Sequence, residues 1–170
     1  MKVWVRNLTK DRDMEIELPM DERNLNIVLP PDNEYIVIDS EILDVEQYAS
    51  VHGLNSFLFD CKENGVSLDE LEVLSKFLLY NEVIEAVDNQ SYCIIDFDAE
   101  TSDWGEYGGD IHNDTHKGMC LYDSGMYNPF SFEVTDDIYD WIDWASVWIN
   151  ANTEGWQVVR INGHGYLVHR

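Results

Sequence analysis

Apolar and polar positions alternate in the first part of the chain, recur at helical spacing through its middle, and alternate again at its end. Met14–Leu18 sets Met14, Ile16 and Leu18 against Glu15 and Glu17, the period of two of a half-buried strand. Lys2–Leu8 is a second short strand with β-branched residues, and Tyr35–Ile38 is a compact apolar run suited to a central strand. The turn cluster Pro30-Pro31-Asp32-Asn33 leads into it, so the first 43 residues read as strands. The period then changes. Asp44 is the expected N-cap of a helix opening at Val45-Glu46-Gln47. Val51, Leu54, Leu58 and Cys61 follow at helical spacing, and Asn64-Gly65 ends the helix.

Ser67-Leu68-Asp69-Glu70 has the S-x-x-E form of a capping box. The helix it opens places Leu68, Leu71, Leu74 and Leu78 inward and Asp69, Glu70, Glu72 and Lys76 mostly outward. Asn81 is expected to break it before a second helical piece, Glu82–Val87. Tyr92–Phe97 reads as a strand, and residues 98–130, polar and glycine-rich, predict short elements that the pattern does not place. Asp136–Ala151 predicts the clearest helix, with Ile138, Trp141, Ile142, Ala145 and Ile149 along one face. Trp156–Ile161 and Tyr166–His169 flank Asn162-Gly163-His164-Gly165, a hairpin signal. The class is therefore α+β.

Charge changes the picture. The chain carries 34 Asp and Glu against 10 Lys and Arg, a formal charge of -24 in 170 residues. Between Glu63 and Gln157 the only bases are Lys76 and Lys117. Such a field repels nucleic acid and anionic membrane and attracts basic surfaces. Disorder does not explain it, because 45% of the residues are hydrophobic and 12% aromatic, and acidic disordered chains are poor in both. The acids belong on the outside of a folded protein, where their mutual repulsion opposes compactness. Three cysteines (Cys61, Cys93, Cys120) without metal-type spacing fit a reducing cytosol. With no apolar leader and no long apolar run, the expected location is cytoplasmic.

Candidate chemistry is sparse. Asp96-Phe97-Asp98-Ala99-Glu100 begins like a calcium loop, but that loop requires glycine sixth and glutamate twelfth, where Thr101 and Tyr107 stand. His112, Asp114 and His116, with Asp110 and Cys120 nearby, have the donor atoms of a transition-metal site, and a metal-dependent enzyme built on them with Asp96 and Asp98 is one alternative. No Gly-rich phosphate loop, G-x-S-x-G, H-E-x-x-H or C-x-x-C occurs, so nothing points to catalysis. More informative is the expected helix at Asp136, where Asp136, Asp140 and Asp143 share one face with Asp137 at its edge. Like charges at this spacing repel. Duplex DNA carries one charge per roughly 1.7 Å of axis, so a charge of -24 equals that of about 12 base pairs, and two copies about 24.

Three blocks carry a resemblance to the ArdA-type antirestriction proteins, acidic DNA mimics encoded by mobile elements. They are the opening strand Val3–Leu8, the stretch from Asn33 through Glu41, Val45–Tyr48 and Leu54-Asn55, and Glu133–Trp144 with the closing Gly163–Tyr166. Thr135 stands where the family's segment usually has proline. The resemblance implies an elongated α+β protein of three small domains, here 1–63, 64–98 and a C-terminal dimerisation domain 99–170. It implies a homodimer without cofactor or catalytic activity, whose carboxylates imitate phosphates and occupy the DNA-binding methyltransferase core of type I restriction-modification enzymes. The expected phosphate mimics are Asp69, Glu70, Glu72, Glu82, Glu85, Asp136, Asp137, Asp140 and Asp143, and the expected interface residues are Trp141 and Trp144. An acidic inhibitor of a different DNA-binding defence protein is the first alternative, ahead of the metal-dependent enzyme. Because salt screens repulsion among 34 acids more than it weakens attraction to ten bases, the melting temperature should rise between about 50 and about 500 mM NaCl. A fall over that range, measured by calorimetry, would count against a densely acidic surface.

Overall fold

In the computed structural model, which describes residues 1–45, 49–105 and 108–170, the period-two segments form a three-stranded antiparallel sheet. Its strands are β1 (Lys2–Asn7), β2 (Arg12–Glu17) and β3 (Tyr35–Ser40), in the order β2-β1-β3. The centre is β1, not the apolar run of β3, because Val3 and Val5 face the core and both edges of β1 find partners. Between β2 and β3 lies a helix, α1 (Glu22–Val28), inside the stretch read as strands. Asp21 caps it by accepting from the Asn24 N–H, and Leu25 and Leu29, four apart, bury against the unit's core.

Helix α2 (Val51–Glu63) begins at Val51 with Ser50 as N-cap, so Asp44 is not the cap. Ser50 accepts from the Gly53 N–H at 3.3 Å, while Glu46, Gln47 and Tyr48 lie outside the described residues. Val51, Leu54, Leu58 and Cys61 are buried as their spacing requires, joined by Phe57. Helix α3 (Leu68–Phe77) opens with both arms of the capping box: Ser67 N–H donates to Glu70 at 2.7 Å, and Glu70 N–H to Ser67 Oγ at 3.1 Å. Leu71, Val73 and Leu74 are its buried residues, whereas Leu68, expected inside, is exposed. The break before α4 (Tyr80–Asn89) falls at Leu78-Leu79 rather than Asn81, which lies in the first turn of α4. There the Leu79 N–H donates to the Glu82 carboxylate at 2.9 Å.

A second antiparallel sheet, order β4-β6-β5, is made of β4 (Cys93–Asp96), β5 (Gln157–Ile161) and β6 (His164–His169). The β5–β6 hairpin turns on Asn162 and Gly163, both at positive φ (53° and 95°), the backbone a two-residue turn demands. Because β4 pairs with β6, it belongs with the C-terminal part and not with a helical middle domain. The chain divides once, into Met1–Gln90 and Ser91–Arg170, with α2, α3 and α4 in the same unit as the first sheet. The architecture is α+β, with two small sheets and, among the described residues, eight helices.

Of the stretch 98–130, the described residues 98–105 and 108–130 hold the end of α5 (Phe97–Glu100) and α6 (Asp114–Asp123). The expected long helix is interrupted. It consists of α7 (Asp136–Tyr139) and α8 (Trp144–Thr153), and Asp143 is the N-cap of α8. Asp143 accepts from the Ser146 N–H at 3.2 Å and the Ser146 hydroxyl at 2.7 Å. Aspartate bonds nearby backbone more readily than it continues a helix, so an Asp at this point favours a new start. The buried face of α8 is Trp144, Val147, Trp148 and Ala151, while Ile149, on the expected apolar stripe, is exposed.

The second unit's core gathers Phe97, Ile111, Leu121, Trp148, Ala151 and Leu167. Helices α6 and α8 pack at Gly118, where an added Cβ would overlap the Trp144 carbonyl and come within 3.3 Å of the Trp148 nitrogen. Lys117, the adjacent base, is buried, with its ammonium 2.6 Å from Asp114 and 4.6 Å from the centre of the Trp148 ring. Since both atoms facing Gly118 are backbone, they cannot move aside as a side chain would. Gly118→Ala should therefore destabilise the Ser91–Arg170 unit by at least about 2 kcal/mol, read by urea unfolding. An unchanged midpoint would mean that α6 and α8 do not approach so closely.

Candidate target-binding surface

None of the described Asp or Glu residues is buried. That follows from the cost of moving a carboxylate into an apolar interior, where it would need a paired charge. The first unit holds 20 acids against seven Lys and Arg, the second 14 against three. Lys2–Glu15, Arg6–Asp13 and Lys117–Asp114 form ion pairs. Arg6 grips Asp13 through two nitrogens at 2.7 and 2.9 Å, and this lowers the Asp13 carboxyl below its usual range.

The expected phosphate mimics fall into separate groups. Asp69, Glu70 and Glu72 lie in the first half of α3, and Glu82 and Glu85 on α4. Glu70 and Glu82 also serve their helix starts by accepting backbone N–H groups. Asp136 and Asp137 occupy the first turn of α7, Asp140 follows its last residue, and Asp143 caps α8. The hydrogen bonds from Ser146 lower the Asp143 carboxyl. A single helical row of Asp136, Asp140 and Asp143 does not exist, because the helix stops between them. All four acids of this segment are nevertheless exposed.

The two tryptophans expected at an interface differ sharply. Trp141 is 86% exposed and Trp144 only 4%. Trp144 lies among Tyr139, Tyr122 and Phe130, with ring centres 4.6, 5.2 and 6.1 Å away, and its indole N–H donates to the Tyr139 carbonyl at 3.1 Å. It is a core residue with almost no surface to give to a partner. Trp141, in the interruption between α7 and α8, is the one whose surface is available.

The residues with metal-binding chemistry are drawn to different partners. His112 Nε2 lies 3.0 Å from Arg160, His116 Nδ1 accepts from the Asp110 N–H at 2.8 Å, and Asp114 pairs with Lys117. Asp96 caps α5, and Asp98 accepts from the Gly165 N–H at 2.9 Å with His164 at 3.5 Å. Among the described residues, no group of three or more His, Cys, Asp or Glu side chains could hold a metal ion. Burial, reinforced by Glu100, Asp123 and Asp96, pushes the Cys120 thiol up to about 12. Burial with Asp60 and Asp88 does the same to Cys61, also to about 12. Both thiols stay protonated at neutral pH and are poor nucleophiles.

One pairing was not legible in the sequence. The Tyr139 hydroxyl donates to both Asp123 oxygens at 3.0 and 2.9 Å, tying α7 to α6 across 16 residues. Neither residue carries a local signal, since each is one of many of its kind. No protein-family model matches the chain, and no curated protein matches it either. No helix among the described residues is long and apolar enough to cross a membrane.

Truncating the two tryptophans separates their roles. Trp144→Ala should cost about 3–5 kcal/mol by emptying an aromatic core site, whereas Trp141→Ala should stay within about 0.5 kcal/mol of wild type in dilute protein. Denaturant unfolding of both variants measures this. The opposite order would mean that the indoles exchange places.

Proposed function

We propose that the protein is an antirestriction protein of the ArdA type, which displays carboxylates in place of B-form phosphates and occupies the DNA-binding groove of a type I restriction-modification enzyme. The observation that supports this reading most is the outward placement of charge: every described acid reaches solvent, in both units, with few bases to neutralise it. Retaining 34 acids on so small a surface opposes folding, and a basic groove shaped for DNA is the kind of partner that relieves this repulsion. The chain then works by stoichiometric occupancy, not by turnover, in the cytoplasm of a cell carrying the mobile element. It engages the methyltransferase core of its target through Asp69, Glu70, Glu72, Glu82, Glu85, Asp136, Asp137, Asp140 and Asp143.

A dimer completes the reading, since one copy supplies charge for only about 12 base pairs. Exposed Trp141 is the candidate anchor, because large aromatics dominate interface energetics. The elongated three-domain arrangement of the resembled family belongs to this proposal and is open to small-angle scattering.

Titrating a type I enzyme with the protein, and following DNA binding and cleavage together, tests the reading. Inhibition should saturate near one dimer per target, compete with DNA and require no added metal. Phosphate contacts position without specifying, so the effect should be spread over many carboxylates. Asp140→Asn alone should change affinity less than about twofold, and Asp136, Asp137 and Asp140 neutralised together should weaken it roughly three- to a hundredfold. Failure to inhibit any type I enzyme, with tight binding to another DNA-binding defence protein, would move the assignment to that target. Inhibition far below stoichiometry would overturn mimicry altogether.

A further inference from the structure

We propose that a cavity of the second unit, lined by Trp104, Gly108, His116, Met119, Asp123 and Tyr139, is a receptor for an organic cation, a guanidinium or alkylammonium group. Its volume is about 430 Å³, within the range of small-ligand sites and large enough for an arginine side chain. Three of the lining residues come from one face of α6: His116, Met119 and Asp123 stand at i, i+3 and i+7. Tyr139 is contributed by α7.

Trp104 is set in place by the turn after α5. The Thr101 hydroxyl donates to the Phe97 carbonyl at 2.8 Å and accepts from the Gly109 N–H at 3.0 Å. Gly109 lies so near that an added Cβ would fall 2.8 Å from the Thr101 Cβ, and Gly108 has a φ of 64° that favours glycine. Trp104 meets the His116 ring edge-on with centres 5.8 Å apart, while the Asp110 N–H holds His116 Nδ1. The walls are thus the rings of Trp104, His116 and Tyr139, each held by a neighbour, and the thioether of Met119.

The charge of the site selects the ligand. Asp123 is its carboxylate, oriented by the Tyr139 hydroxyl on both oxygens, and each oxygen keeps a lone pair for a further donor. Desolvation raises its carboxyl and nearby Asp103 adds to the rise, while the Tyr139 hydrogen bond opposes it, so a bound positive charge would offset the first two. An anionic ligand meets a unit with 14 acids and three bases. A neutral apolar ligand would strip water from Asp123 without replacing it. A guanidinium satisfies both demands, because it is weakly hydrated, lies flat on aromatic rings and donates to carboxylates. This inference holds whichever protein the acidic surface engages.

The test is a titration of the whole protein with methylguanidinium chloride and tetramethylammonium chloride at about 150 mM total salt, following by NMR the backbone N–H groups of Met119 and Asp123, which every variant below retains. Saturable shifts with a Kd on the order of millimolar are expected. Asp123→Asn and Trp104→Leu should each weaken binding at least about fivefold, while Trp104→Phe, which keeps a ring, should stay within about threefold. Glu133→Gln, an exposed acid outside the cavity, should change nothing. The Trp104 pair keeps the test decisive if Asp123→Asn fails to fold. Tighter binding of acetyl-Gly-Arg-Gly-amide than of methylguanidinium would assign the site to a protein side chain, and tighter binding of spermidine to a free polyamine. Shifts that never saturate, or equal weakening by Glu133→Gln, would overturn the site in favour of diffuse attraction.

Discussion

Repulsion among carboxylates is the constraint on which the rest of this structure depends. With 34 acids and 10 bases, the chain stays compact by keeping the described carboxylates in water and closing its interior almost entirely with uncharged side chains. The core is accordingly aliphatic and aromatic, and the two most buried thiols are held neutral. Asn7, Asn55 and Thr101 are among the few polar residues inside, and each is hydrogen bonded: Asn55 bridges Met20 through both its amide groups, at 2.9 and 3.0 Å. The one buried base among the described residues, Lys117, is held by Asp114 and by the face of Trp148.

The same constraint explains why acids so often sit at helix starts. Asp21, Ser67 with Glu70, Asp96 and Asp143 satisfy N–H groups that helices leave unpaired. A carboxylate placed there gains local partners and the favourable end of the helix dipole without leaving solvent. Surface charge and local structure are then served by one residue. The Asp140–Asp143 interruption is the clearest case, since it starts α8 and leaves Trp141 and four acids on the outside.

This arrangement links fold to proposed function. A DNA mimic requires a surface dense in carboxylates that the fold does not neutralise, and a core strong enough to hold that surface together. The close approach of α6 and α8 at Gly118 and the aromatic cluster around Trp144 supply that strength in the second unit. Helix α6, which makes this contact, also lines the Trp104–Asp123–Tyr139 cavity together with α7, where aromatic walls and a fixed carboxylate suit a cation.

Local patterns in the sequence determined much of the fold. Alternation in Met14–Leu18, the Ser67 capping box, the apolar spacing of α2 and the Asn162-Gly163 turn all act within a few residues, and they formed as read. The acidic exterior was equally legible, because charge seeks water wherever the chain goes. Choices between competing local signals were decided by tertiary contact. From Asp136 to Ala151 two apolar stripes share one period, Ile138/Trp141/Ile142/Ala145 and Trp144/Val147/Trp148/Ala151, and periodicity alone does not rank them. Packing against Gly118 selected the second, turning Trp144 inward and Trp141 outward. The pairing of β4 with β6, the central place of β1 and the meeting of Asp123 with Tyr139 likewise join residues that are distant or unremarked in the chain. Such contacts depend on which surfaces meet in space, and no local spacing encodes that.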